Sequence, residues 1–182
     1  PYQSNVLQFG LAAEDSVVQM DNTLVWVSQS KQRGRQVMAL NGVTPQVVST
    51  AYIDKVLDQS QNLDENMYAF SVKTMGHSFY VLSVKDLGFT LVYDLIQKGW
   101  TYWTSMNNNV ENYFSCLYYA KFSGLDLMQN ETNGKIYQFD PNTYEDDGNP
   151  IAVLARTPLV DFGNNERKFF RYSNIVGDKV DG

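Results

Sequence analysis

The chain has 182 residues, 43% hydrophobic and 14% aromatic, enough for one folded domain with a core and too apolar for a disordered segment. Its 14 Lys and Arg against 20 Asp and Glu leave a net charge of −6, which weighs against nonspecific DNA binding and against an anionic membrane surface. One cysteine, Cys116, excludes an intrachain disulfide; with the single histidine, His77, it is too few ligands for a zinc centre, and no apolar run reaches the ~18 residues of a membrane span.

The opening Pro1-Tyr2-Gln3-Ser4 has no Met, no basic segment and no apolar segment, and reads as an internal cut in a longer chain. Strand signals then dominate. Ser16 to Val18 and Leu24 to Ser28 flank the turn residues Met20-Asp21-Asn22-Thr23, and Leu24-Val25-Trp26-Val27 is apolar enough to be covered on both faces. Lys31 to Arg35 is a basic loop, Gln36 to Leu40 a strand, and Asn41-Gly42 a hairpin signal. Ser49 to Leu57 breaks the pattern. A Ser/Thr start, an early Asp54, and Ile53, Val56 and Leu57 on one face predict a short helix near residues 50–57, with 58–66 as a connection.

Strands resume at Met67 to Lys73, Ser78 to Val84, Phe89 to Asp94 and Trp100 to Thr104, an up-and-down unit of the ~40 residues typical of a propeller blade. A further unit starts at Tyr113 to Phe122 and runs through Leu125 to Met128 and, after Asn133-Gly134, through Lys135 to Asp140. Residues 141–150 are a turn-rich loop, Ile151 to Arg156 and Lys168 to Tyr172 read as strands, and 177–182 as a hairpin turn. The fold class is therefore all-β, with antiparallel blades, an incomplete ring or a fragment of one. The whole of 1–182 reads as one propeller-type domain or part of one, with blades near 15–59, 66–106 and 112–160 and the start of another at 166–182. A blade cannot cover its own faces and must stack on neighbours.

Reactive chemistry is sparse. Cys116 lies in strand-like Tyr113 to Tyr119 and reads as a buried thiol. His77 follows Gly76 at a strand-opening turn, with no nearby Ser or Cys motif to activate, and reads as a hydrogen-bonding member of its own blade. Asp140, Glu145, Asp146 and Asp147 suggest calcium or a glycosidase pair, but Tyr144 interrupts the ligand spacing, Gly148 comes too late, and all four acids share one loop. Alternation sends Trp100 and Tyr102 to one face and Trp103 to the other, so one set faces a core. Asn130-Glu131-Thr132 matches a glycosylation sequon with no secretory context. Lys31, Arg33 and Arg35 read as a solvated hairpin tip, with a contact to DNA or an acidic subunit as the alternative. No catalytic residue, cofactor site or metal site is assigned, and the chain reads as a non-enzyme.

Three stretches carry a family resemblance. They are Gly76 to Leu82 with Tyr93-Asp94-Leu95 and Gly99-Trp100; Met20 to Trp26 with Val48 to Ile53; and Gly134 to Asp140 with Tyr144, Asp147-Gly148 and Arg156-Thr157-Pro158. In this order, across roughly 15–180, the sequence resembles the packaged-DNA stabilisation proteins of short-tailed bacteriophages, the tail hub or nozzle. The resemblance implies a β-propeller virion protein, made in the bacterial host cytoplasm, that helps retain packaged DNA and connects the portal to distal tail parts. It also implies a ring of six subunits in the longer family proteins, contacts with portal and tail proteins, DNA passing without specific binding, no membrane, and no catalytic residues to carry over. The competing readings are a carbohydrate-binding or glycoside-cleaving propeller and a generic protein-interaction propeller.

Overall fold

The computed structural model describes residues 9–107, 110–151, 153–156, 163, 166–169, 172 and 174. It is all-β in its main features: three antiparallel meanders follow one another in the unit 1–151.

The first sheet holds β1 (Gly10–Leu11), β2 (Val18–Met20), β3 (Thr23–Ser30), β4 (Gly34–Asn41) and β5 (Thr44–Val47). β1 and β2 both pair with β3, so they form one edge interrupted by the 3-10 turn Glu14–Ser16. Ser16 repairs the gap. Its hydroxyl accepts from the Val27 N–H at 3.1 Å and donates to the Ala13 carbonyl at 2.7 Å, so the backbone of β3 stays satisfied where no strand lies beside it. Asp21 and Gly42 supply the positive φ values, 53° and 69°, that the two tight turns require.

The predicted helix is α1 (Ala51–Leu57), capped by Thr50, whose hydroxyl accepts from the Ile53 N–H. It buries Ile53 and Leu57. The connection after it contains a second helical turn, α2 (Leu63–Asn66). α2 leads into the second sheet: β6 (Met67–Thr74), β7 (His77–Val84), β8 (Phe89–Asp94), β9 (Gly99–Asn107) and β10 (Val110–Tyr113). That sheet has five strands, not four, and the expected strand from Tyr113 to Phe122 is divided. Val110 to Tyr113 pairs back on β9, whereas β11 (Cys116–Phe122) opens the third sheet with β12 (Leu125–Asn130) and β13 (Ile136–Gln138). The change of sheet occurs at Phe114-Ser115. Continuous strand-like composition hides it, because no Gly or Pro marks the break. The loop after it holds a small hairpin, β14 (Glu145–Asp146) with β15 (Asn149–Pro150).

Alternation along the strands sorts the side chains into two layers between sheets. Val25, Val27, Val37 and Ala39 from the first sheet meet Tyr80, Leu82, Val84, Leu91 and Tyr93 from the second, with Ile53 and Leu57 of α1 closing the side. The opposite face of the second sheet sends Phe70, Val72, Val81 and Val92 against Cys116 and Met128 of the third, and Trp103, Phe114, Tyr119 and Phe139 pack on this layer. Each fully buried large side chain contributes on the order of 1.5–3 kcal/mol. Strand β2 lies against β6, and β6 against β11, so the innermost strands of the three sheets sit side by side. This is blade stacking.

Residues 152–182 form a separate unit. Its described residues carry no strand: Val153 to Arg156, Lys168, Phe169 and Tyr172 are irregular, and Val153, Leu154, Phe169 and Tyr172 are exposed. The expected strands at Ile151 to Arg156 and Lys168 to Tyr172 are therefore not formed over their described residues, which have no partner strand in any of the sheets. The expected turn at 177–182 lies outside the described residues.

Candidate interaction surfaces and the family of the chain

Where the three innermost strands converge, a cleft of about 280 Å³ is lined by Gln19, Met20 and Asp21, by Ser71, Val72, Lys73 and Ser78, and by Tyr119 and Lys121. Its charges are already committed. Lys73 pairs with Asp21, which also accepts from the Ser78 hydroxyl at 3.4 Å. The Lys73 hydrogen bond holds the Asp21 carboxyl below its ordinary value despite some desolvation. Lys121 lies 3.5 Å from Asp126, which also accepts from the Tyr119 hydroxyl. The arrangement pairs the lining's charged side chains with one another or with a neighbour, beside the apolar Met20 and Val72.

His77 is fixed in its blade as the sequence suggests. Its Nδ1 donates to Asp94 Oδ2 at 2.6 Å, and its ring stacks on Phe79, which in turn meets Trp103. The other Asp94 oxygen accepts the Ile96 and Gln97 N–H groups at 2.8 and 3.2 Å, closing the β8–β9 turn. Burial alone would raise the Asp94 pKa. The Ile96 N–H, the His77 ring and the Gln97 N–H together outweigh it, so the carboxyl sits below its ordinary 3.8. A depressed folded pKa means that this group's stabilisation is complete above 3.8 and is lost as pH falls through the folded value. The expected result is a steeper acid loss of stability in the parent than in Asp94→Asn, measured by denaturant titrations at stepped acidic pH. Identical slopes would remove Asp94 as the source.

The remaining candidates are absorbed into structure. Cys116 is buried, and burial first, then the nearby Asp146 charge, push its thiol up to about 12, so it is protonated near neutrality. Asp140 closes its own turn by accepting from the Asn142 N–H and side-chain amide, at 2.9 and 3.0 Å. Asp147 accepts the Tyr137 hydroxyl at 2.7 Å. Among the described residues no three His, Cys, Asp or Glu side chains gather as a metal site. Trp100 packs on the layer between the first two sheets and gives its indole N–H to the Val48 carbonyl at 2.8 Å, while Trp103 joins the other layer and Tyr102 is half exposed. Asn130 is buried, with its amide committed to Ser115 Oγ at 2.7 Å.

In the basic loop, Lys31 and Arg33 are exposed, but Arg35 is not a solvated tip. Its guanidinium donates to the Leu57 and Ser60 carbonyls at 2.6 and 2.7 Å, fastening the hairpin to the end of α1. Gly34 is required beside it: φ is +70°, and a Cβ would lie 2.8 Å from the Asp58 carboxylate. A second staple is unannounced by any local pattern. Lys85, 5.1 Å above the Tyr68 ring, bonds Glu131 at 2.9 Å, and Glu131 also accepts the Tyr113 hydroxyl. Desolvation first, then that bond and the Glu131 charge, push the Tyr113 phenol up to about 12. The pair joins the second sheet to the third across 46 residues of sequence.

No curated protein matches the chain. A family model described as bacteriophage P22 Gp10, β-propeller, matches residues 1–144, which takes in all three stacked sheets. With most of its length matched and its sheets stacked as blades, the chain belongs to the phage stabilisation family of β-propeller proteins.

Proposed function

We propose that the chain is part of a bacteriophage tail hub or nozzle that helps retain packaged DNA and links the portal to distal tail parts. The family is one of phage structural proteins that stabilise packaged DNA, and the match over residues 1–144 carries the reading. The internal chemistry supports it. His77, Cys116, Asp140 and Asp147 are committed to turns and packing, as a scaffold role requires of them. In this reading residues 1–182 are a propeller-type domain or part of one, carried in the virion after synthesis in the host cytoplasm. The full-length protein forms a six-fold ring with portal and tail neighbours, and DNA passes it without specific binding. No catalytic, cofactor or metal residue is assigned. Among the described residues no helix is long and apolar enough to cross a membrane.

The test is made in the phage that encodes the protein. Particles assembled without it are expected to show emptied heads by electron microscopy and to regain DNA when the protein is supplied in trans. Full heads joined to complete tails in its absence would overturn the proposal.

A further inference from the structure

We propose that the turns at one end of the three sheets seat another virion protein, through a segment of that protein that carries carboxylates beside apolar side chains. That the partner belongs to the virion rests on the tail reading; the surface itself follows from the strand register.

Antiparallel pairing sorts the turns to two ends. Met20 pairs with Thr23, Thr23 with Asn41 and Asn41 with Thr44, so the β2–β3 and β4–β5 turns share one end of the first sheet. In the second sheet Thr74 pairs with His77, Phe79 with Asp94 and Asp94 with Gly99, which puts the β6–β7 and β8–β9 turns together. The ion pair of Lys73 with Asp21 brings these two sets to the same end, and Lys121, beside them in the cleft, brings the β11–β12 turn.

Three of these turns hold a large apolar residue, Val43, Met75 and Ile96, and Phe122 adjoins a fourth; all are between 62% and 79% exposed. At the opposite end the turns Lys31 to Arg33, Lys85 to Gly88 and Glu131 to Lys135 are charged and hold no exposed large apolar group, and the apolar residues exposed there, Val110 and Ile136, begin strands. Turn tips are ordinarily polar. Met75 even takes a φ of 50°, a conformation that suits Gly, Asn or Asp, so the turn itself does not call for methionine. A residue that neither the turn nor the core asks for points to a role in contact. Further sheets of a propeller stack on sheet faces, so they would not cover tips that lie past the strand ends.

Charge indicates what the partner carries. The cleft between these turns sets Met20 and Val72 beside Lys73 and Lys121. Each ammonium has three N–H donors and a single carboxylate partner, and both lysines are more exposed than the acids they pair with. Lys98, in the β8–β9 turn, is exposed and has no carboxylate partner among the described residues. Cations around apolar tips fit an acidic, apolar protein surface, and the tips themselves offer nothing to a polyphosphate.

The test uses the whole protein in its own phage. The combined variant Val43→Ser, Met75→Ser, Ile96→Ser and Phe122→Ser is expected to melt at the parent's temperature and to yield particles without complete tails. Lys98→Glu with Lys121→Glu should show the same loss, with suppressors that replace an Asp or Glu of another virion protein by a neutral or basic residue. Lys31→Ser with Arg33→Ser, at the opposite end, should assemble normally. Normal particles from either the tip variant or the Lys98/Lys121 variant overturn the proposal and leave the tail reading standing, since that reading fails only if complete tails form without the protein altogether. Suppressors confined to this protein's own sequence also overturn it, because they mean that the rest of the chain or a second copy covers the tips.

Discussion

Tyr80→Ala is expected to destabilise the chain by about 3–5 kcal/mol, the range for removing a buried aromatic ring. Tyr80 is on the interior strand β7, has no exposed surface, and is the largest fully buried side chain described. Its ring fills the layer between the first two sheets beside Tyr93, which it faces across β7 and β8. Its hydroxyl donates to the Ser16 carbonyl at 2.8 Å, in the turn that interrupts the first sheet's edge. Tyr80→Phe separates the contributions. It keeps the ring but leaves that carbonyl without this donor, a loss of about 1–3 kcal/mol. Burial also raises the phenol's pKa, so its stabilisation is complete below 10.0 and declines above it; the Phe variant should lose that alkaline slope. Urea titrations at neutral and alkaline pH measure all three quantities, and an Ala variant no weaker than the Phe variant would show that the ring does not pack.

Trp26→Ala should cost a similar ~3–5 kcal/mol, by a different route. Trp26 is only 6% exposed, yet it is on the outer face of the first sheet, where Met38 opposite is 1% exposed. Losing the indole opens a void beside Met38 and removes a large cross-strand pair from two long strands. Trp26→Phe, which retains much of the volume, should recover more than half of the loss. Thermal melts of the three proteins decide this, and equal melting temperatures would contradict the burial.

The strands were legible because their signals are local. Leu24 to Ser28 and Phe89 to Asp94 announce themselves by β-branched and aromatic content, and Asn41-Gly42 and Asn133-Gly134 by the positive φ their turns need. The helix was legible from Thr50 and the spacing of Ile53 and Leu57. His77 was readable as a member of its own blade, although its carboxylate, 17 residues on, could not be singled out from spacing. What escaped is what only three-dimensional proximity creates. Arg35 looks like any loop cation until α1 ends against it, and Lys85 has no sequence reason to meet Glu131. The division at Phe114-Ser115 escaped because choice of sheet is decided by which partner edge is free, a property of neighbours and not of the strand itself. The irregular stretch from Val153 to Arg156 is the converse: β-forming residues without an edge to join remain unpaired in the unit described.

The break between β1 and β2 has a bearing on solubility. An unbroken inner edge would offer a regular row of N–H and C=O groups along which a stray polypeptide could zip, seeding aggregates. Here the row is interrupted at its middle, and Ser16 occupies the vacated bonding place with a side chain that an intruding backbone would have to displace. A hydroxyl thus acts as a stopper, guarding an aromatic-rich β protein against templated growth along this edge.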